Sequence, residues 1–245
     1  MSQFDVDSAR QNSLPQWGQT ADLQAAARTD MAARFMNQVY GWMAGALAVS
    51  GVIAMTVLSS EALVSAAIRL YIPLIIAELL VVVALSALVQ RMSATVAAGA
   101  FLFYAALTGV TFAPILLLYT GASVANVFFV TAGTFTSMAV FGAVTKRDLT
   151  GMGSFLMMGV VAILIAAVVN LFLASNALQF AISLVGALVF TGLTAYDVQK
   201  FKSLGYMGFS NPEQRRKTAL IGALNLYLNF INLFLSLLRL FGGRR

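Results

Sequence analysis

The last apolar stretch, Thr218 to Phe241 (TALIGALNLYLNFINLFLSLLRLF), constrains the fold more than any other part of the chain. It holds 24 residues and one charge, Arg239. An α-helix rises 1.5 Å per residue, so about 20 such residues cross the hydrocarbon of a bilayer. On a helical wheel Asn225, Asn229, Asn232, Ser236 and Arg239 fall within roughly 80° of one another, with Gly222 at the stripe's edge. Facing lipid, each unpaired amide would cost several kcal/mol. The stretch therefore reads as a helix enclosed by other helices, its stripe turned toward them or toward a wet cavity. The asparagines would act there as interhelical hydrogen bonds, worth under about 1 kcal/mol each, or as the lining of an ion path.

The rest of the chain supplies the enclosing helices. Of its 245 residues, 60% are hydrophobic and 10% charged, against roughly 45–50% and 25% in soluble domains. This is a polytopic membrane protein by composition. No cysteine and no histidine is present, so thiolate chemistry, disulfides, imidazole metal sites and histidine bases are excluded. The net charge of +6 is not a nucleic-acid signal, because the basic residues flank apolar spans, where they orient the chain and meet anionic lipid.

Residues 1–30 are polar and read as a mobile arm, ending in a short amphipathic approach from Leu23 to Arg34. There is no basic start running into an apolar core, so no signal peptide is expected. Residues 31–245 read as one membrane domain with seven spans, about 36–58, 70–89, 94–118, 122–144, 152–173, 177–197 and 218–241. Gly41 and Gly45 in the first span have the spacing that permits close helix contact. Linkers of a few residues, such as Tyr119–Gly121 and Ala174–Asn176, force antiparallel neighbours. In the longest linker, Gly205 is a candidate helix end. Asn211 and Pro212 read as an N-cap and first helical residue.

With the N-terminus in the cytoplasm, eleven of the fifteen Lys and Arg residues fall on that side and four, Arg69, Arg239, Arg244 and Arg245, on the other. That asymmetry favours a cytoplasmic N-terminus. Seven full crossings then place the tail outside, whereas a re-entrant last helix would return it.

Two carboxylates lie in or at the end of a span. A charge at mid-bilayer costs at least about 2.5–3.5 kcal/mol, which makes each a functional candidate. Glu78 sits mid-span with no cation in its own helix; it is neutral, paired across helices, or wet. Asp197, in TGLTAYDVQKFK, has Thr194 on its face one turn back and Lys200 within pairing reach one turn ahead.

Four stretches together are similar to the Bax inhibitor-1 family of multi-pass membrane proteins, in its bacterial branch: RFMNQVYGWMAGAL, ALTGVTFAPILLLY, LTAYDVQKFK and LNLYLNFINLFLSLLRLFG. The resemblance spans residues 34 to 242, and the last two motifs in this order are its specific part. It implies an all-α bundle of seven transmembrane helices, six of them wrapped around the C-terminal one. It implies a pH-sensitive calcium leak gated by two aspartates, one closing the sixth helix and one in the seventh. It also implies stress-protective roles in eukaryotic relatives and association with a membrane-bound ATP-dependent protease in bacterial ones. The first aspartate falls on Asp197. The second falls on Asn229, where the family's LYLD reads LYLN.

That departure bears on mechanism. Two close carboxylates cannot both ionise cheaply, and their coupling makes a pH sensor. An Asp–Asn pair lacks it. Calcium prefers several oxygens with net negative charge, so Asp197 with one amide is a thin calcium site. If Lys202 and Lys217 mark one interface, Asn229 lies seven residues deeper than Asp197, roughly 10 Å, and Asn225 matches Asp197 better in depth.

The leading expectation is a calcium or cation leak gated around Asp197 and Asn229, with Asn225, Asn232 and Glu78 on the path. No cofactor is expected, with calcium as permeant or bound ion at Asp197. In that case the polar residues of spans two, six and seven converge on one cavity. The alternative is a non-conducting regulatory protein that binds a protease or another stress-response partner. A retinal receptor needs a mid-span lysine, and every lysine here lies at a span edge or in a loop. An enzyme lacks its nucleophile and base. A secondary transporter stays open as a reading, although no matched pair of broken spans is visible in two halves.

Overall fold

The computed structural model describes residues 16–244, with side chains from residue 22 onward. The expected arm therefore falls partly outside the described residues. From Gln16 the chain is already helical: α1 (Gln16–Leu58) runs without a break from the polar approach into the first span. The others are α2 (Glu61–Arg69), α3 (Tyr71–Leu88), α4 (Ala94–Leu116), α5 (Gly121–Val144), α6 (Thr150–Leu173), α7 (Asn176–Met207) and α8 (Pro212–Phe241). All but α2 are long and apolar enough to cross a membrane, which makes seven such helices among the described residues.

Local chemistry sets the helix starts. Ser60, Ser93, Thr120 and Ser175 each offer a side-chain oxygen to a backbone N–H in the first turn of α2, α4, α5 and α7. At α8, Asn211 accepts from the N–H of Gln214 at 2.7 Å, and Gln214 Oε1 accepts from the N–H of Ser210 at 3.1 Å. The two bonds cap the helix as a capping box does, with the return bond shifted to the residue before the N-cap, and Pro212 stands in the first turn. Helix α2 lies in what reads from sequence as the first linker. Helix α7 does not stop at Gly205. It continues to Met207 and ends at Gly208, whose φ of +80° is open to glycine.

Helix α8 is the most enclosed element. Of its apolar window 72% is buried, against 6% for α3 and for α6. It packs against α1, α4, α5 and α7, while α3 lies against α4 and α6 against α7. The polar stripe accounts for this position: Gly222, Asn229 and Ser236 are buried, Asn225 and Asn232 half-buried, and Arg239 is exposed at the end.

The close helix approaches differ from those expected. A Cβ at Gly41 or Gly45 would meet nothing within 4 Å, so the first span's glycine pair packs against no neighbour. The tight crossing of α1 is made instead by Gly109 of α4, where a Cβ would stand 2.6 Å from the Ser50 carbonyl oxygen. Gly142 of α5 lies directly against the Ala195 backbone of α7. Gly205 rests on Ala32, where a Cβ would stand 2.9 Å from its Cα. It is the contact that docks the end of α7 on α1.

After α8 the chain turns back onto the α4–α5 connection. Thr120 N–H donates to the Gly243 carbonyl at 3.1 Å, and Gly243 N–H donates to Ser123 Oγ at 2.8 Å. Tyr119 and Arg244 form an isolated antiparallel bridge. The tail thus lies at the same end of the bundle as the turn after the third span, as seven full crossings require.

Candidate functional site

The extension of α7 past its apolar part carries Asp197 alongside the middle of α8. Asn229 Nδ2 donates to Asp197 Oδ2 at 2.7 Å. The two residues are 5% and 6% exposed, so the carboxylate meets an amide dipole rather than water. Asn225, one turn before Asn229, faces the same carboxylate. It also borders a cavity of about 70 Å³ together with Ser86 of α3 and Phe101 of α4. A water needs roughly 10–15 Å³ of such volume and polar partners, and Asn225 and Ser86 supply the partners.

Two expectations about Asp197 are corrected. Lys200 makes no ion pair with it; among the described residues the salt bridges are Arg34–Asp30 and Lys217–Glu213. The Lys200 ammonium instead lies 5.8 Å from the ring centre of Tyr196 and 5.7 Å from that of Phe201. Thr194, on the same face as Asp197, donates to the Phe190 carbonyl of its own helix at 2.8 Å. The depth reckoning that favoured Asn225 fails because Lys202 is no headgroup marker. Its ammonium folds back to cap the end of α5, donating to the Ala143 carbonyl at 2.6 Å.

Not every expected residue joins this pair. Asn232 donates to Leu228 O of its own helix at 2.8 Å. Glu78 belongs to a second polar cluster. Thr111 Oγ1 of α4 lies 2.6 Å from Glu78 Oε1 and 3.0 Å from the Thr108 carbonyl. A hydroxyl has one hydrogen. If it serves Glu78, the carboxylate accepts; if it serves Thr108, Glu78 must be protonated and donate. Thr108 Oγ1 in turn donates to the Tyr104 carbonyl of its own helix at 3.1 Å. Tyr227 OH and Ser50 Oγ of α1 are 2.7 Å apart, and Ser50 Oγ is 2.7 Å from the Ala105 carbonyl of α4. With one hydrogen on Ser50 directed to Ala105, Tyr227 donates to Ser50. The polar residues of spans two, six and seven therefore form two groups rather than one cavity, and among the described residues no hydrogen bond joins them. Sequence reasoning passed over Ser50 and Tyr227. The available signal was a serine midway along the first span and a tyrosine in the most enclosed one.

Outside the spans, the α5–α6 loop is fixed by Gln199 of α7. Its Oε1 accepts from Leu149 N–H at 2.9 Å and its Nε2 donates to the Arg147 carbonyl at 2.8 Å. In that loop Asp148 is held below the usual carboxylate range by hydrogen bonds from the Thr150 hydroxyl and N–H. Among the described residues no group of three or more His, Cys, Asp or Glu is placed to hold a metal ion.

Seven apolar helices enclosing buried polar pairs define a multi-pass membrane protein with an ionisable group held between its last two helices. The chain belongs to the Bax inhibitor-1 family: over residues 32–245 it matches the family model described as inhibitor of apoptosis-promoting Bax1. It is 46% identical over 215 residues to the inner membrane protein YbhL of Escherichia coli K12, covering 86% of this chain and 92% of that one. An uncharacterised protein of Deinococcus radiodurans is 44% identical over 215 residues, covering 88% and 93%. An uncharacterised membrane protein of Streptococcus pyogenes serotype M1 is 38% identical over 168 residues, covering 69% and 72%.

Proposed function

We propose that the chain is a leak pathway for cations, calcium among them, gated where Asp197 meets Asn229. The observation that carries this reading is the 2.7 Å bond between two buried side chains on α7 and α8. A carboxylate inside a spanning helix is costly. Here its partner is an amide, which neither neutralises it nor fixes it permanently, and parting the pair would free the carboxylate for a passing cation. The small cavity beside Asn225 gives water a place one helical turn from Asn229. One carboxylate with amide oxygens is far short of the six to eight ligands of a retentive calcium site, which suits passage rather than storage. With Asn229 in place of a second carboxylate, the pH control carried by coupled acids is weak. Nothing in this reading requires catalysis or a resident cofactor.

By likeness to YbhL, whose name places that protein in the inner membrane, this chain is assigned to the same membrane. The Lys and Arg distribution favours an N-terminus in the cytoplasm. The test is calcium entry into liposomes holding the purified protein, compared with Asp197→Asn. The reading expects a leak above empty vesicles that the substitution changes. Equal entry in protein-free and protein-loaded vesicles rejects it.

A second reading is a non-conducting regulator that binds a membrane-bound ATP-dependent protease or another stress-response partner. It is favoured by the leading turns of α1, where residues 22–31 are exposed and five of the ten are polar. Deleting those turns should then abolish co-purification of the partner and leave the bundle folded.

A further inference from the structure

We propose that the groove between α1 and α5 is a binding site for one acyl chain of a bilayer phospholipid, entering from the side. The groove encloses about 700 Å³, within the range of roughly 300–1,000 Å³ typical of ligand sites. Its walls are α1 and α5, which do not pack extensively on each other, and its floor is formed by Phe112 of α4 and Phe230 and Phe234 of α8. The floor is buried, at 5–9% exposure, whereas the rims Met55 and Phe129 are 67% and 72% exposed. The groove is therefore continuous with the lipid-facing surface of a membrane protein, and lipid tails are the solvent at that surface.

Three further features favour an acyl chain. Positions Gly51 and Gly121 on the two walls have nothing within 4 Å of where a Cβ would stand, so the slot between them is open. Its end is closed by Tyr119, 3% exposed, which the turned-back tail packs against at Gly242. A blind apolar slot takes a chain end and not a headgroup. A helix from a second copy is too large: at 10–12 Å across and 5.4 Å per turn it fills roughly 400–600 Å³ per turn, so little more than one turn would fit. The occupant also has a consequence. Ser50 lines the inner wall, and an acyl chain there keeps water from the Ser50–Tyr227 link.

The test is photolabelling of the full chain in vesicles containing a phosphatidylcholine with a diazirine in its acyl chain, mapped by mass spectrometry. The proposal expects labels on Phe112, Phe230 or Phe234 as well as on Met55 and Phe129. Gly51→Leu, which fills the slot, should abolish floor labelling and leave rim labelling intact. Should Gly51→Leu not yield a folded protein, Gly121→Leu fills the opposite wall. Labels confined to the rims of the native protein would overturn the proposal. So would floor labelling that a folded slot-filling variant leaves unchanged. Neither result depends on whether the protein conducts.

Discussion

Asn229 donates its amide to Asp197 at 2.7 Å across the α7–α8 interface, with both side chains buried. Asn232, three residues further along the same stripe, spends its amide on its own helix. Asn229→Ala leaves a buried carboxylate without that partner, a loss of about 1–3 kcal/mol. Asn232→Ala removes only a local contact and should cost less than about 1 kcal/mol. Thermal unfolding in detergent should rank the variants in that order. Equal shifts would mean the interhelical bond carries no special weight.

Gly142 and Gly133 lie on one helix, α5, in opposite circumstances. A Cβ at Gly142 runs into the Ala195 backbone, whereas one at Gly133 meets nothing within 4 Å. Gly142→Ala should therefore destabilise by about 1–3 kcal/mol through overpacking. Gly133→Ala should be neutral or stabilise by up to about 1 kcal/mol, since alanine is the better helix former. Melting temperatures that move in opposite directions are the expected result.

Ser50 connects three helices through Ala105 and Tyr227. Ser50→Ala leaves the Tyr227 hydroxyl unpaired, at a cost of about 0.6–1.7 kcal/mol for a bond of this kind within a membrane. Tyr227→Phe removes the group that would be stranded. The double variant should thus be less destabilised than the sum of the two singles. Additive losses in a double-mutant cycle would show that the two hydroxyls act independently.

Ala174 ends α6 with φ of +46°, the one positive φ among described non-glycine residues. Left-handed backbone costs an L-residue roughly 1–2 kcal/mol, which glycine avoids at the expense of a more flexible unfolded chain. Ala174→Gly should raise stability by up to about 1 kcal/mol. A lowered melting temperature would place the strain elsewhere.

The spans were readable because each is a predominantly apolar run long enough to cross a bilayer, and the enclosure of α8 was readable because a polar stripe cannot face lipid. The start of α8 was legible from Asn211 and Pro212 alone. Helix α2 escaped notice although Ser60 and Glu61 mark its start; its nine residues sit between stronger apolar signals. Other features are tertiary and leave no local mark. Lys202 reads as a headgroup anchor until its ammonium is seen on the Ala143 carbonyl, and Lys200 reads as an ion-pair partner until the rings of Tyr196 and Phe201 are seen beneath it. Glu78 was singled out by its charge. Its partner Thr111 could not be, because a threonine inside a span most often bonds its own helix. The Gly41–Gly45 spacing misled for the same reason: small residues permit contact, and only the neighbour's position decides whether it occurs.

The central claim is that the Asp197–Asn229 pair gates a cation leak and that the asparagine is why pH control is weak. The most direct measurement is calcium flux into liposomes at pH 6 and pH 8 for the native protein and for Asn229→Asp. Two carboxylates at hydrogen-bond distance cannot both ionise cheaply, so a shared proton adds a coupled titration that a single carboxylate beside an amide lacks. The leak should therefore depend more weakly on pH in the native protein than in Asn229→Asp. A native leak with strong pH dependence that Asn229→Asp leaves unchanged would contradict it.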